Sequence, residues 1–170
     1  MPFFQRKERR NRLYHYIKYS APIGTLSIVE QNGSLYALVL NGQKYETDHV
    51  PKSAIHQSTA FLKKVEKWLD AYFAGQSPVM DLPLAQRGTP FQQSVWKQLG
   101  TIPYGQTTSY GNIAELLHTS ARAVGQAVGR NPYLIVVPCH RVVSSTGQLQ
   151  GFAAGLEVKR QLLELEKTEL

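Results

Sequence analysis

Cys139 is the only cysteine in this chain of 170 residues, and it is followed directly by His140 in the segment VPCHRV, residues 137–142. The thiolate is the reactive form of cysteine, and a neighbouring base or positive charge promotes its formation near neutral pH. The pattern therefore predicts a nucleophile on a turn fixed by proline. Taken alone, the pattern is a weak signal, because a lone cysteine is more often a small buried apolar side chain than a reactive group.

Positive charge surrounds this candidate nucleophile. The chain carries a formal net charge of +7, and residues 87–141 contain a single acid, Glu115. An excess of positive charge around a reactive group favours a polyanionic partner, although much of it could be solvated surface. The basic residues of the segment are Arg87, Lys97, Arg122, Arg130 and Arg141.

Residues 120–129, SARAVGQAVG, predict a helix of small side chains with one long basic residue, Arg122. A glycine inside a helix costs about 1 kcal/mol relative to alanine, so a reason is needed for Gly125 and Gly129. One reason is close packing against another helix. The other is close approach to a DNA groove, where such a bare face suits minor-groove entry better than major-groove reading.

The elements that position these residues fall into two parts. Asn32-Gly33 predicts a hairpin because both central positions of its turn need positive φ. Apolar residues at helical spacing predict a helix over residues 56–74, with its aromatic stripe in the core. We place the domains at residues 1–84 and 85–170, with residues 1–12 as a disordered basic tail. The predicted strands are residues 13–19, 25–29 and 35–40.

The second part is predicted to be helical. Residues 89–92 (TPFQ) form a capping box with proline at the first helical position and open a helix that runs to Leu99. Two short helices, over residues 109–117 and 121–129, are typical of helix-turn-helix geometry. A final helix covers residues 156–166.

From residue 89 to residue 166 the chain resembles the O6-alkylguanine-DNA alkyltransferases, which repair methylated DNA. This resemblance implies an α+β fold, with a small antiparallel sheet and helix (ribonuclease H-like) followed by an all-helical winged-helix or helix-turn-helix-like domain. The matching segments are residues 89–92, 95–96, 102–105, 108–111, 122–125, 131–132, 138–142 and 163–166, together with Lys159.

The resemblance also implies a role for each residue near the thiol. Cys139 attacks the alkyl carbon as a thiolate, and His140 acts as the base through a water molecule. Glu166 holds and polarises that histidine, which is the orienting group that a nucleophile and its base require. Asn131 fixes the loop that presents Cys139. Arg141 holds the turn through an internal ion pair and does not contact the substrate.

The resemblance also implies how the protein recognises DNA. The nucleotide must leave the stack before a side chain reaches O6 of guanine. Arg122 then fills the vacated space, while Tyr110 crowds the backbone phosphate and contacts the flipped base. The small face of the helix, Ser120, Ala121, Ala123 and Gly125, lies against the minor groove. The pocket is formed by Pro138, Val142, Phe152, Ala153, Ala154 and Tyr110, with the Cys139 and Val142 carbonyls and the Ala153 amide bonding the base.

The sequence departs from the family pattern at three places, of which Phe152 and Ala153, where some members have a more polar pair, should have little effect because the backbone amide bonds the base. Ala154 stands where glycine is usual, which predicts a tighter pocket lip and poorer repair of bulky adducts. The loop of residues 117–120 is shorter than usual, which could shift Arg122. The cysteines that bind zinc in some relatives are absent, and His15, His49 and His56 match no ligand spacing, so we expect no metal and no cofactor.

The predicted function is direct-reversal repair of duplex DNA. The alkyl group of O6-alkylguanine, or less efficiently O4-alkylthymine, passes irreversibly to Cys139 in one turnover. We expect a monomer that binds DNA, not membrane, in the reducing cytoplasm. The alternative is a non-catalytic helix-turn-helix lesion sensor or regulator, which the reactive cysteine disfavours. A cysteine hydrolase is a weaker third possibility, because no oxyanion loop is evident.

Overall fold

The computed structural model describes residues 13–167, and the predicted basic tail lies outside them. A meander of three antiparallel strands forms the first part of the chain, with Asn32 (φ 50°) and Gly33 (φ 78°) in the second turn as predicted. The strands are β1 (Tyr14–Ala21), β2 (Gly24–Gln31) and β3 (Ser34–Leu40). A two-residue strand, β4 (Ile55–His56), adds in parallel to β1 and gives the order β3-β2-β1-β4.

Helix α2 (Ala60–Phe73) follows a single turn, α1 (Glu46–His49), and packs against the sheet. It begins at Thr59, whose hydroxyl accepts a hydrogen bond from the Leu62 amide at 3.1 Å. The predicted start at residue 56 was wrong, because His56 pairs with β1 and the helix cannot begin before the threonine cap.

The second part contains α3 (Pro90–Leu99), α4 (Tyr110–Leu117), α5 (Ala121–Gly129) and α6 (Leu156–Leu165). The capping box at Thr89 is present, and serine hydroxyls cap α4 and α5. The prediction of an all-helical second part missed one pair of short parallel strands, β5 (Thr108–Ser109) with β6 (Val142–Val143). The mixed α+β architecture is otherwise the predicted one, and the boundary at residue 84 stays a prediction.

The free edge of β3 joins the two parts. The Leu38 amide donates to the Pro132 carbonyl at 2.8 Å, and the Leu134 amide donates to the Leu38 carbonyl at 2.9 Å. One cluster of buried apolar residues then continues from the sheet to the helices of the second part. The sheet therefore holds the segment that leads to Cys139. Within that segment the buried Ile135 has φ 70°, an unusual conformation for a β-branched residue.

No helix within residues 13–167 is long and apolar enough to cross a membrane.

Candidate functional site

Cys139 begins a single turn of 3-10 helix, Cys139–Arg141, that connects Pro138 to strand β6. The turn is closed by the Arg141 amide, which donates to the Pro138 carbonyl at 3.1 Å. Asn131 holds the preceding loop, since its Nδ2 donates to the Val137 carbonyl at 2.9 Å and its Oδ1 accepts from the Tyr133 amide at 3.0 Å. The backbone around the thiol is therefore fixed from both sides.

Glu166, directly after α6, brings three side chains to one carboxylate. His140 Nε2 lies 2.6 Å from Oε2, and Arg141 Nε donates to Oε1 at 2.8 Å, so the predicted ion pair forms. The Tyr72 hydroxyl donates to Oε2 at 2.6 Å. Burial alone would raise the pKa of Glu166, but these hydrogen bonds outweigh it and lower that pKa to about 2. The carboxylate is therefore ionised at neutral pH.

His140 is neutral and has a definite tautomer. Burial lowers the pKa of His140, against the opposing effect of Glu166. Because the ionised carboxylate accepts hydrogen bonds only, Nε2 carries the proton and donates it to Oε2. Nδ1 is then a free acceptor, and it is buried with no hydrogen-bond partner among residues 13–167. An unpaired acceptor in the residue next to a thiol has the chemistry of a base.

Opposing effects act on the pKa of the Cys139 thiol. The side chain is only 5% exposed, and burial raises its pKa, while a hydrogen bond with Asn131 and the charge of Lys159 lower it. Lys159 is fully buried in α6. Its Nζ donates to the Gln150 carbonyl at 2.8 Å and lies 5.7 Å from the centre of the Tyr110 ring. These contacts hold its ammonium group near enough to the thiol for its charge to lower the thiol pKa.

Lys159 matches the family pattern in the sequence, but no role for it is predicted from that match. Its position three and four residues before Leu162 and Leu163 is the one signal that it lies on the buried face of α6. Burial lowers the pKa of Lys159 to about 8, while the thiol opposes this shift. The lysine is therefore still mostly protonated at neutral pH.

We expect Lys159→Met to slow the alkylation of Cys139 by iodoacetamide about three- to tenfold at neutral pH, because loss of the ammonium raises the thiol pKa further. Since wild-type Lys159 loses its proton as the pH rises through about 8, the two rates should converge above that pH. The alkylation rates are measured by quenching the reaction at successive times and determining the mass of the peptide that carries Cys139. The exposed Lys63→Met is the control, and an unchanged Lys159→Met rate would contradict the prediction.

A broad cleft of about 1600 Å³ runs along α5 and the loop before α6. Arg122 lines it, is exposed, and forms no ion pair within residues 13–167. A methyl group added at Gly125 would lie 3.9 Å from the Tyr110 ring, and one at Gly129 would meet nothing within 4 Å. Helix packing therefore does not require either glycine.

The cleft brings together seven of the residues predicted for DNA and base binding: Tyr110, Ala121, Arg122, Ala123, Gly125, Phe152 and Ala153. Ser120 instead caps α5, with its hydroxyl accepting from the Ala123 amide at 3.1 Å. Pro138, Val142 and Ala154 do not line the cleft, and neither does Cys139. Their assignment to a base pocket stays a prediction.

Tyr110 links the cleft to the thiol. Its hydroxyl donates to the Gln150 carbonyl at 3.0 Å, and Cys139 is close enough to contribute to its raised pKa, behind the larger effect of burial. The Ala153 carbonyl accepts a hydrogen bond from the Lys44 amide at 3.0 Å, which ties the cleft loop to the first part of the chain. Tyr110 thus lines the cleft and is also near enough to Cys139 for the two groups to interact electrostatically.

The fold and the site together define an α+β protein with a buried free cysteine, a histidine–glutamate pair and a basic cleft. Residues 14–86 match the family model described as 6-O-methylguanine DNA methyltransferase, ribonuclease-like domain, and residues 90–168 match the DNA binding domain of the same protein. The chain belongs to the 6-O-methylguanine DNA methyltransferase family.

Individual relatives agree over most of the chain. It is 45% identical to the methylated-DNA–protein-cysteine methyltransferase of Mycobacterium bovis, across 92% of this chain and 94% of that one. The protein of the same name from Methanosarcina acetivorans is 41% identical, across 89% and 97%. The solved structure of Mycobacterium tuberculosis OGT in complex with DNA has a TM-score of 0.82 at 44% identity, across 90% and 92%.

Proposed function

We propose that this protein repairs alkylated DNA by direct reversal, moving the alkyl group from O6 of guanine to its own Cys139. The observation that carries the assignment is the buried Cys139–His140–Glu166 arrangement beside a cleft lined by Arg122 and a helix of small residues. Family membership supports the same activity, and a relative from Mycobacterium tuberculosis has been solved with DNA.

The reaction is a displacement at the alkyl carbon. The thiol proton passes through a water molecule to the free Nδ1 of His140, and Glu166 stabilises the imidazolium that results. The Cys139 sulphur bonds to the alkyl carbon as the bond from that carbon to guanine O6 breaks. The electron pair goes to the guanine, which takes up a proton from water and is restored as a neutral base, while the imidazolium returns its proton to water. The thioether is stable, so each molecule reacts once.

Access to the base requires a flipped nucleotide. Arg122 is exposed in the cleft without an internal partner in the described part of the chain, so it is available to fill the space that the base leaves. Tyr110 lies between this surface and the thiol environment, where it contacts the flipped base. The small residues of α5 let the helix approach the minor groove closely.

A mass measurement tests the function. The protein is incubated with a duplex containing one O6-methylguanine, and intact and peptide masses are recorded. We expect one methyl group on the peptide that carries Cys139, with a yield that never exceeds the amount of protein. Folded protein that binds the duplex but gains no mass would instead support the non-catalytic sensor.

Gly125→Ala is expected to separate folding from repair. The folded protein accommodates the methyl group at ordinary contact distance, and the helix gains up to about 1 kcal/mol of stability. In the complex the same methyl group intrudes between α5 and the DNA, so repair of duplex falls about tenfold. Denaturant unfolding and duplex repair rates measure the two effects. Gly100→Ala, outside the cleft, is the control, and an equal repair loss there would refute the explanation.

We also propose that the protein acts as a monomer in a reducing, cytoplasmic setting. The chain has one cysteine, so no internal disulfide is available to it, and a free thiol is the form that the reaction needs.

A further inference from the structure

Tyr72 reaches the site from the other part of the chain. It belongs to α2, and its hydroxyl donates to Glu166 Oε2 at 2.6 Å across a sequence separation of 94 residues. The side chain is 1% exposed and packs in the shared apolar cluster. The aromatic stripe of α2 was predicted to serve the core only. A phenylalanine would fill that role as well, so the hydroxyl needs a separate reason.

The Tyr72 hydroxyl and His140 share one oxygen atom. His140 Nε2 and the hydroxyl both lie 2.6 Å from Oε2, whereas the Arg141 Nε bond is to Oε1. Burial, followed by the charge of Glu166, raises the pKa of Tyr72, so the phenol stays protonated and always donates. Each donor on Oε2 reduces the negative charge that the oxygen presents to the imidazole.

We propose that Tyr72 is a positioning residue for the reaction: by sharing the oxygen that holds His140, it keeps the imidazole neutral and oriented to accept the Cys139 proton. This inference rests on the proposed role of Cys139. Without the phenol, the carboxylate would favour the imidazolium before the thiol reacts, and a histidine that is already protonated is no base. The sheet part of the chain thus contributes a side chain to the proton relay.

Other groups also act on the His140–Glu166 pair. The titratable or charged groups around His140 and Glu166 are Arg141 and Cys139 on the same turn, Lys159 on α6 and Tyr104 on the loop before α4. Among the described side chains, the hydrogen bonds to Glu166 come from His140, Arg141 and Tyr72. Of these three residues, Tyr72 is the one that lies outside the second part of the chain. Removing its hydroxyl therefore leaves every residue of the Cys139–Arg141 turn unchanged.

The pH dependence of Cys139 alkylation by iodoacetamide tests the proposal, because this small reagent reads the proton relay without any DNA. In Tyr72→Phe the ring and its packing remain and only the hydroxyl is lost. The acid limb of the rate profile should move about half a unit to one unit to higher pH, which slows the reaction about three- to tenfold on that limb. The plateau rate at higher pH should be unchanged. The titration of His140, followed by NMR of histidine-labelled protein, should move in the same direction.

Tyr104→Phe is the matched control. Its hydroxyl also joins the two parts, through the Gly75 and Leu165 carbonyls at 3.4 and 3.5 Å, but it does not bond Glu166. The acid limb should stay in place in this variant. A uniform loss of rate in Tyr72→Phe, or an equal shift in both variants, would show that Tyr72 only packs and would overturn the proposal.

A second substitution keeps the test decisive if Tyr72→Phe is unstable. Site-specific 3-fluorotyrosine at position 72 retains the shape and is a stronger donor, so the acid limb should move to lower pH. An unmoved limb would overturn the proposal. Failure of the protein to take a methyl group from duplex DNA would count against the proposed function alone, since neither profile depends on DNA.

Discussion

Replacing Glu166 with glutamine is expected to stop methyl transfer and to destabilise the folded protein by about 3–5 kcal/mol. The carboxylate accepts from His140, Arg141 and Tyr72, and its side chain is fully buried. Glutamine keeps the shape but removes the charge, so the largely buried Arg141 loses its counter-ion. The NH2 group of the glutamine would also place its own N–H donors against the N–H and O–H donors of His140, Arg141 and Tyr72. Denaturant unfolding and the mass assay measure the two losses.

The same variant has a defined pH signature. The folded pKa of Glu166 is lowered from 4.5 to about 2, so its ionised form contributes stability that is fully present above about pH 4.5. That contribution is lost as the pH falls towards 2. The stability difference between wild type and Glu166→Gln should therefore shrink by about 3 kcal/mol across this interval.

The exposed Glu164, two residues earlier, supplies the control for this experiment. Glu164→Gln should change stability by less than about 0.5 kcal/mol at any pH and leave methyl transfer intact. A Glu166→Gln protein that retains wild-type stability, or that still accepts methyl groups at the wild-type rate, would be incompatible with the relay described above.

Replacing Arg122 with alanine is expected to slow repair in duplex DNA about 100-fold, while reaction with an O6-alkylguanine free base stays within about twofold. Flipping a nucleotide costs a few kcal/mol, and an inserted side chain offsets that cost in the duplex only. Arg122 is exposed in the cleft and has no ion pair among residues 13–167 to lose. Paired second-order rates on the two substrates measure the effect.

Arg160→Ala controls for net charge. Arg160 is exposed on α6 and pairs with Glu157 at 3.0 Å, outside the cleft, so this variant removes one positive charge without touching α5. It should reduce duplex repair only slightly. Equal losses for Arg122→Ala on duplex and on free base would rule out a role in flipping.

Helices with local start signals were predicted well from the sequence. Thr89, Ser109 and Ser120 each cap a helix through their own hydroxyl, and these signals depend only on neighbours in the chain. The start of α2 was predicted too early although Thr59 caps the helix locally, because the predicted helix included His56, which pairs with β1 about forty positions away. The short β5–β6 pair was missed for the same reason.

The functional site also contains residues that can be predicted from the sequence and residues that cannot. Cys139 and His140 are adjacent, so their chemistry is visible in the sequence, and Glu166 was assigned from a family resemblance. Tyr72 and Lys159 were not assigned, because an aromatic or basic side chain at helical spacing gives no sign of which atom it will meet. Their partners are set by the packing of α2 and of the cleft loop against α6. The positive φ of Ile135 likewise depends on the docked segment around it.

The docking of residues 132–134 on the open edge of β3 has a further consequence. Neither part of the chain completes its backbone hydrogen bonds or its apolar interior alone, since the edge strand and the cluster are shared. The two parts should therefore melt together in one transition instead of in two independent steps. A fragment cut between them would expose an unpaired strand edge, which invites association with other chains.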